Sequence, residues 1–340
     1  MGLAYLVARV AADNLLSYHF FLRTALMIAA ISGVFGAIEM FSGYSLIRGA
    51  FAPFFPQVPY VYLVNQRLSL YRATGTFPAD ILFGLYCMLS FGLAINVGFA
   101  KLAMRRESYW TCMVLALVGV FSSLSSGPWL ALTLVLCMMV YDRLFRSERN
   151  RWWFLVLGSL AAWLTLGMLS NRGPLKLLVD YLTLNPDSGY IRMAMLECMW
   201  DLVPNYWSLG WGWGNDWPRS VEWYKWNSID CFYAVLFVRS GVFAVFTFLS
   251  FMAYSWYRAC KTAGRSPTMS REIKGWIMTT VAFCFAVMTV DVFGNFVVPV
   301  YAILGAGQVL MTPSANHRTR TFTHPTGPRS SRPLAGEILT

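Results

Sequence analysis

Residues 109–141 read YWTCMVLALVGVFSSLSSGPWLALTLVLCMMVY: 33 positions without a formal charge, between the basic flanks KLAMRRES at 101–108 and DRLFRSERNR at 142–151. A single helix through this stretch would be ~50 Å long at 1.5 Å per residue. That exceeds the ~30 Å hydrocarbon core of a bilayer, and it would put the two basic flanks on opposite sides. Two helices that cross and return satisfy both constraints. The turn falls at 122–128, SSLSSGP. Serine, glycine and proline supply turn chemistry there, and the proline suits the first turn of the returning helix.

The same reading extends outward. Hydrophobic residues make up 57% of the 340-residue chain and charged residues 13%, against about 25% in a soluble domain. Residues 81–100 carry no charge, and 229–256 carry only Asp230 and Arg239. Residues 276–311 repeat the hairpin logic, with a turn at 291–295. The expected fold is all-α, a polytopic transmembrane bundle of about eight spans at roughly 24–47, 81–100, 109–124, 127–141, 152–170, 229–257, 276–291 and 295–311. The first 21 residues lack the basic start and apolar core of a signal peptide and suggest a short amphipathic piece.

Charge orients the spans. The stretches 101–108, 142–151, 258–274 and 312–340 hold 16 of the 27 basic residues and 5 of the 16 acidic ones, so they account for the entire net charge of +11. This is the bias of cytoplasmic loops, not a nucleic-acid patch, and it places both termini inside. The tail 312–340, rich in Pro, Ser, Thr and Arg, is expected to be disordered. The seven cysteines show no metal spacing. Cys198 and Cys231 are the two able to face an oxidising compartment, and a bond between them is left open.

A 58-residue polar loop, 171–228, then falls on the outer face with seven of the fourteen tryptophans. Candidate chemistry gathers in and around it. Arg72 stands before a span on the same side, and its guanidinium fork suits phosphate oxygens; an interfacial arginine meeting headgroups is the plainer alternative. Arg192 borders an apolar helix face formed by 191, 195, 196 and 199, with Glu197 turned away from it; the segment also fits a helix lying on the membrane. The run SLGWGWGNDW at 208–217 is too glycine-rich for a buried helix. Its Trp211, Trp213 and Trp217, together with Trp200, present faces for sugar rings or for the interfacial belt. Arg219 is a further basic residue of this loop. Asp230 and Arg239 open the next span, where ionisable groups default to functional candidates; Asp230 also fits a helix-start carboxylate. The histidines, His19, His317 and His324, all fall on the inner side.

In this order the pieces resemble the O-antigen ligase and polysaccharide polymerase family of bacterial inner-membrane proteins, over roughly residues 65–310. An R-x-x-G-T-F-like segment occurs at 72–77. The serine turn opening a helix reads SSGPWLA at 125–131. Arg192 and the run 204–214 stand where that family has its loop motifs. DCFYA at 230–234 followed by RSG at 239–241 stands at the entry to the next helix. Two features depart from the pattern: the serine turn has no arginine, and Asp230 stands where ligases have histidine. Members also commonly have ten or more spans.

The resemblance implies one transmembrane unit, 1–311, with a periplasmic loop at 171–228 and a basic cytoplasmic tail at 312–340. It implies a glycosyltransferase in the inner membrane that needs no cofactor. Its donor would be a polyprenyl-diphosphate-linked glycan and its acceptor a glycan or lipid A-type molecule, in contact with membrane lipid and possible assembly partners. Asp230, Arg192 and Arg72 would be catalytic. Arg219, Arg239, Trp200, Trp211, Trp213, Trp217 and Glu197 would bind substrate. The competing expectations are a transporter or lipid-carrier flippase and a non-catalytic assembly subunit. A transporter is expected to show ionisable or broken-helix sites near mid-span and repeated halves; here the charged residues concentrate in one outer loop and the sequence shows no repeat.

Overall fold

The computed structural model describes residues 2–54, 61–63, 65–148, 150–169, 190, 191, 194, 197, 207–212, 229–265 and 269–311. The chain is predominantly helical, and six helices among the described residues are long and apolar enough to cross a membrane. Helix α1, Gly2–Ala11, is followed by α2, Leu15–Ser42. Asn14 caps α2, its side chain accepting from Ser17 N at 2.9 Å, and Gly43 ends it in the left-handed conformation. The first span therefore starts nine residues before the expected position, because a cap, not the first apolar run, sets the helix start.

A short α3, Leu46–Phe51, and a two-residue antiparallel ladder follow, β1 (Gln66–Arg67) with β2 (Leu70–Tyr71). Then come α4, Asp80–Val97; α5, Arg106–Ser122; and α6, Ser126–Leu144. The uncharged run 109–141 is thus two helices joined at 123–125. Gly127 and Pro128 lie in the first turn of α6. The two helices diverge around α4, with α5 packing on α2 and α4, and α6 on α4 and the later α9, Ser270–Ala286. Helix α4 is apolar on all sides and buried almost continuously from Leu82 to Ala94, as a central helix must be. The α2–α5 crossing is close: a Cβ on Gly33 would overlap the carbonyl oxygen of Leu115. Small residues allow such contact between membrane helices.

Helix α7, Arg151–Leu169, stands apart, with none of its apolar window buried. Helix α8 runs Phe232–Arg265, but Gly241 inside it has φ 72° and ψ −175°. After α9, the chain turns through 287–293 and a 3-10 turn, Gly294–Phe296, into α10, Val297–Gly307, and a closing 3-10 turn, Gln308–Met311. Helix α9 stops at Ala286, five residues before the expected 291, so Asp291 lies in the turn. Helices α5 and α9 have 17 residues each. Helix α1 packs against α10.

Basic stretches separated in sequence meet at one end of the bundle. Glu272 pairs with Lys101 and lies 3.7 Å from His19. Asp142 takes Arg151 at 2.8 Å and Lys274 at 3.1 Å. Arg258 donates to Met311 O at 3.3 Å. The stretch 312–340 lies outside the described residues.

Candidate functional site

At the other end of α9, three connections converge: the segment 65–80, the serine turn and the 287–296 turn. Their placement starts from Glu39, which is fully buried in the last turns of α2. One carboxylate oxygen accepts from Ser45 Oγ at 2.7 Å; the other accepts from the N–H groups of Thr74 and Gly75, each at 2.9 Å. A buried carboxylate is stable only when hydrogen-bonded, and here the bonds fix the backbone just after Arg72. Ala73 N donates to Ser122 O at 3.0 Å, Arg67 Nη1 to Leu124 O at 2.9 Å, and Asn295 Nδ2 to Thr76 O at 2.9 Å. Arg48 donates to Phe77 O. Phe77 packs edge-on to Phe296, with centroids 5.7 Å apart.

Arg72 has an ion-pair partner within the protein. It pairs with Asp80 in the first turn of α4, where the helix dipole favours a carboxylate. The Arg72 Nε and the Thr74 hydroxyl are nevertheless buried without a hydrogen-bond partner among the described residues. The site retains donors that something else would satisfy.

The second part of the site is built on the break in α8. The rings of Phe232 and Phe248 lie 5.1 Å apart and those of Tyr233 and Phe248 6.1 Å apart. Sixteen residues of straight helix would separate their backbones by ~24 Å, so 232–240 folds back against the arm that follows Gly241. The expected single span 229–257 is thus a bent element, broken at Gly241.

The backbone groups freed by the break are taken up by the tryptophan–glycine loop. Trp211 N donates to Val238 O at 2.6 Å and Gly212 N to Arg239 O at 2.9 Å, while Val242 N donates to Trp207 O at 2.8 Å. An interrupted helix inside a membrane protein needs such substitutes. A Cβ on Gly241 would overlap Ser208 O, and one on Gly210, at φ 73°, would collide with the backbone of 239–241. Both glycines permit an approach that no other residue allows.

Three ionisable groups surround this junction. Arg239 is 8% exposed and donates through Nη1 to Gly212 O at 3.1 Å. Asp291 accepts from Val292 N at 2.7 Å. Burial, and secondarily the charge of Asp230, raise the Asp291 carboxyl from 3.8 to about 6, opposed by that hydrogen bond and by Arg239. Asp291 also stands on the wall of an apolar cavity of about 990 Å³ between α1, α8 and α10, lined among others by Phe232, Leu236, Val297 and Tyr301.

The expected site residues are thus divided. Asp230, Arg239 and Trp211 meet around the break, and Trp211 is 42% exposed. Arg72 belongs to the 65–80 connection. Glu197 is exposed on a helical position. Arg192, Trp200, Trp213, Trp217, Arg219 and the proposed partner of Cys231, Cys198, lie outside the described residues. Sequence reasoning missed Glu39, although it is a lone acid in an otherwise uncharged stretch. Among the described residues no group of three His, Cys, Asp or Glu side chains is placed to hold a metal. No protein-family model, curated protein or solved structure matches this chain.

Proposed function

We propose that this protein is a membrane-embedded glycosyltransferase that polymerises or ligates polyprenyl-diphosphate-linked glycans on the outer face of the bacterial inner membrane. The observation that carries the reading is the Asp291 carboxyl, held at about 6 beside Asp230 and Arg239 on the wall of a large apolar cavity. A general base works best with a pKa near the working pH. In the reaction, the acceptor hydroxyl oxygen forms the new bond to the anomeric carbon. The bond from that carbon to the diphosphate oxygen breaks, and the lipid diphosphate leaves with the electron pair. A carboxylate receives the hydroxyl proton, and guanidinium groups offset the charge growing on the leaving group. Asp291 joins Asp230 as candidate base; Arg239, Arg72 and Arg192 are the candidate cations. The apolar cavity suits the lipid tail, and the tryptophans suit sugar rings.

This reading includes an eight-span topology with the basic end and both termini in the cytoplasm. The 17-residue helices α5 and α9 then cross a locally thinned region. A second reading, a lipid-carrier transporter, is favoured by one observation, the broken α8 with Arg239 beside the break. Deletion of the gene, followed by analysis of surface polysaccharide and lipid-linked intermediates, separates the possibilities. Accumulated single repeats on the outer leaflet support polymerisation. Intact lipid-linked polymer beside uncapped lipid A supports ligation. Lipid-linked repeats retained on the inner leaflet support transport.

A further inference from the structure

The charge-rich end of the bundle holds a cavity of its own, about 370 Å³, between the end of α6 and the start of α9. Arg143 lines it from the end of α6, Arg146 from the turn that follows, and Arg271 and Lys274 from α9; Met139 and Met278 form an apolar wall. Asp142 is the carboxylate among the lining residues, and it is already engaged by Arg151 and Lys274. The guanidinium groups of Arg143, Arg146 and Arg271 have no side-chain partner among the described residues. Unneutralised cations crowded around a cleft favour an anion with several oxygens.

The location narrows the anion further. The cavity lies where apolar helices end, and α6 exposes Leu136, Val140 and Leu144, four residues apart and therefore on one face. A headgroup in the cavity would have an apolar helix surface alongside for its chains. Basic pockets between membrane helices are suited to anionic headgroups. We propose that this cavity binds the phosphate group of an anionic phospholipid. The proposal is independent of the catalytic reading, since it concerns the opposite end of α9.

The test uses the purified full-length chain in phosphatidylcholine nanodiscs containing a minor fraction of phosphatidylglycerol. Lipids retained on the protein are counted by native mass spectrometry. The wild type is expected to retain phosphatidylglycerol over phosphatidylcholine. The triple variant R143Q/R146Q/R271Q should lower that preference about tenfold or more, while R105Q/R106Q, also at this end but outside the cavity, should leave it unchanged. The triple lysine variant keeps the charge and should retain part of the preference. Equal retention by wild type and the triple glutamine variant would overturn the proposal, as would equal loss in the control. Inorganic phosphate that binds the arginine cluster where phosphatidylglycerol shows no preference would reassign the cavity to free phosphate and overturn the lipid assignment.

Discussion

The Arg239 guanidinium donates to the carbonyl of Gly212 at 3.1 Å, tying a buried cation beside the α8 break to the backbone of the tryptophan–glycine loop. The break and the loop are mutually dependent. Each supplies hydrogen-bonding groups that the other lacks, and the point of contact is where Arg239, Asp230 and Asp291 gather.

Gly241→Ala tests that dependence. Alanine meets both a positive φ and the Ser208 carbonyl oxygen. The variant should lose about 1–3 kcal/mol and release residues 207–212 from α8. Maleimide labelling of a cysteine placed at Ser208 should then become faster, with a lower Tm in detergent. Unchanged labelling and Tm would show that the loop does not rely on the break.

Asp291 should give the fold a pH dependence of defined sign. Its carboxyl sits at about 6 in the fold against 3.8 ordinarily, so the folded state holds the proton more tightly than the unfolded chain. Its contribution therefore favours folding at low pH and is lost as pH rises between about 4 and 6. Asp291→Asn should raise stability at pH 8 by about 1–3 kcal/mol and change it little at pH 4. Thermal melts at the two pH values provide the check; a variant that is destabilised more at pH 8 than at pH 4 would contradict the assignment.

Glu39→Gln should cost about 1–3 kcal/mol, since an amide accepts through one atom where the carboxylate accepts through two. It should also loosen the connection that carries Arg72. Activity of Arg72→Ala should vanish with the protein still in the membrane, and lysine should rescue it only in part. Turnover and membrane level measured together distinguish loss of chemistry from loss of fold.

The sequence makes the helical class and the α5–α6 hairpin legible, because charge-free length and turn residues act locally. It also groups the basic stretches that Lys101, Asp142, Glu272 and Lys274 bring together. The break at Gly241 was not legible. Glycine within an apolar run is unremarkable in a membrane helix, and its positive φ depends on Ser208, more than thirty residues away. The environment of Asp291 was not legible for a similar reason: its shift arises from burial and from Asp230, neither visible in the local sequence. The Arg72–Asp80 pair was missed although both residues were in plain view, since a free guanidinium and a paired one have the same sequence.

Topology follows from the same grouping. Reporter fusions at Pro186 and Trp217 should read as periplasmic, and those at Arg106, Arg149 and Arg265 as cytoplasmic. A cytoplasmic signal at Trp217 would place the loop on the wrong side for a lipid-linked donor outside the membrane.

Glycosyl transfer is measured with the purified protein in proteoliposomes supplied with a lipid-linked oligosaccharide repeat and, in parallel, a lipid A-type acceptor. Product length and the sidedness of the lipid-linked substrate are followed together. The wild type is expected to give a new glycosidic product, reduced about 10²-fold or more in Asp291→Asn or Asp230→Asn, the usual size of a general-base contribution, with donor binding largely kept. Movement of the substrate between leaflets with no glycosidic product from either acceptor would contradict glycosyl transfer and leave the broken helix as part of a transport path.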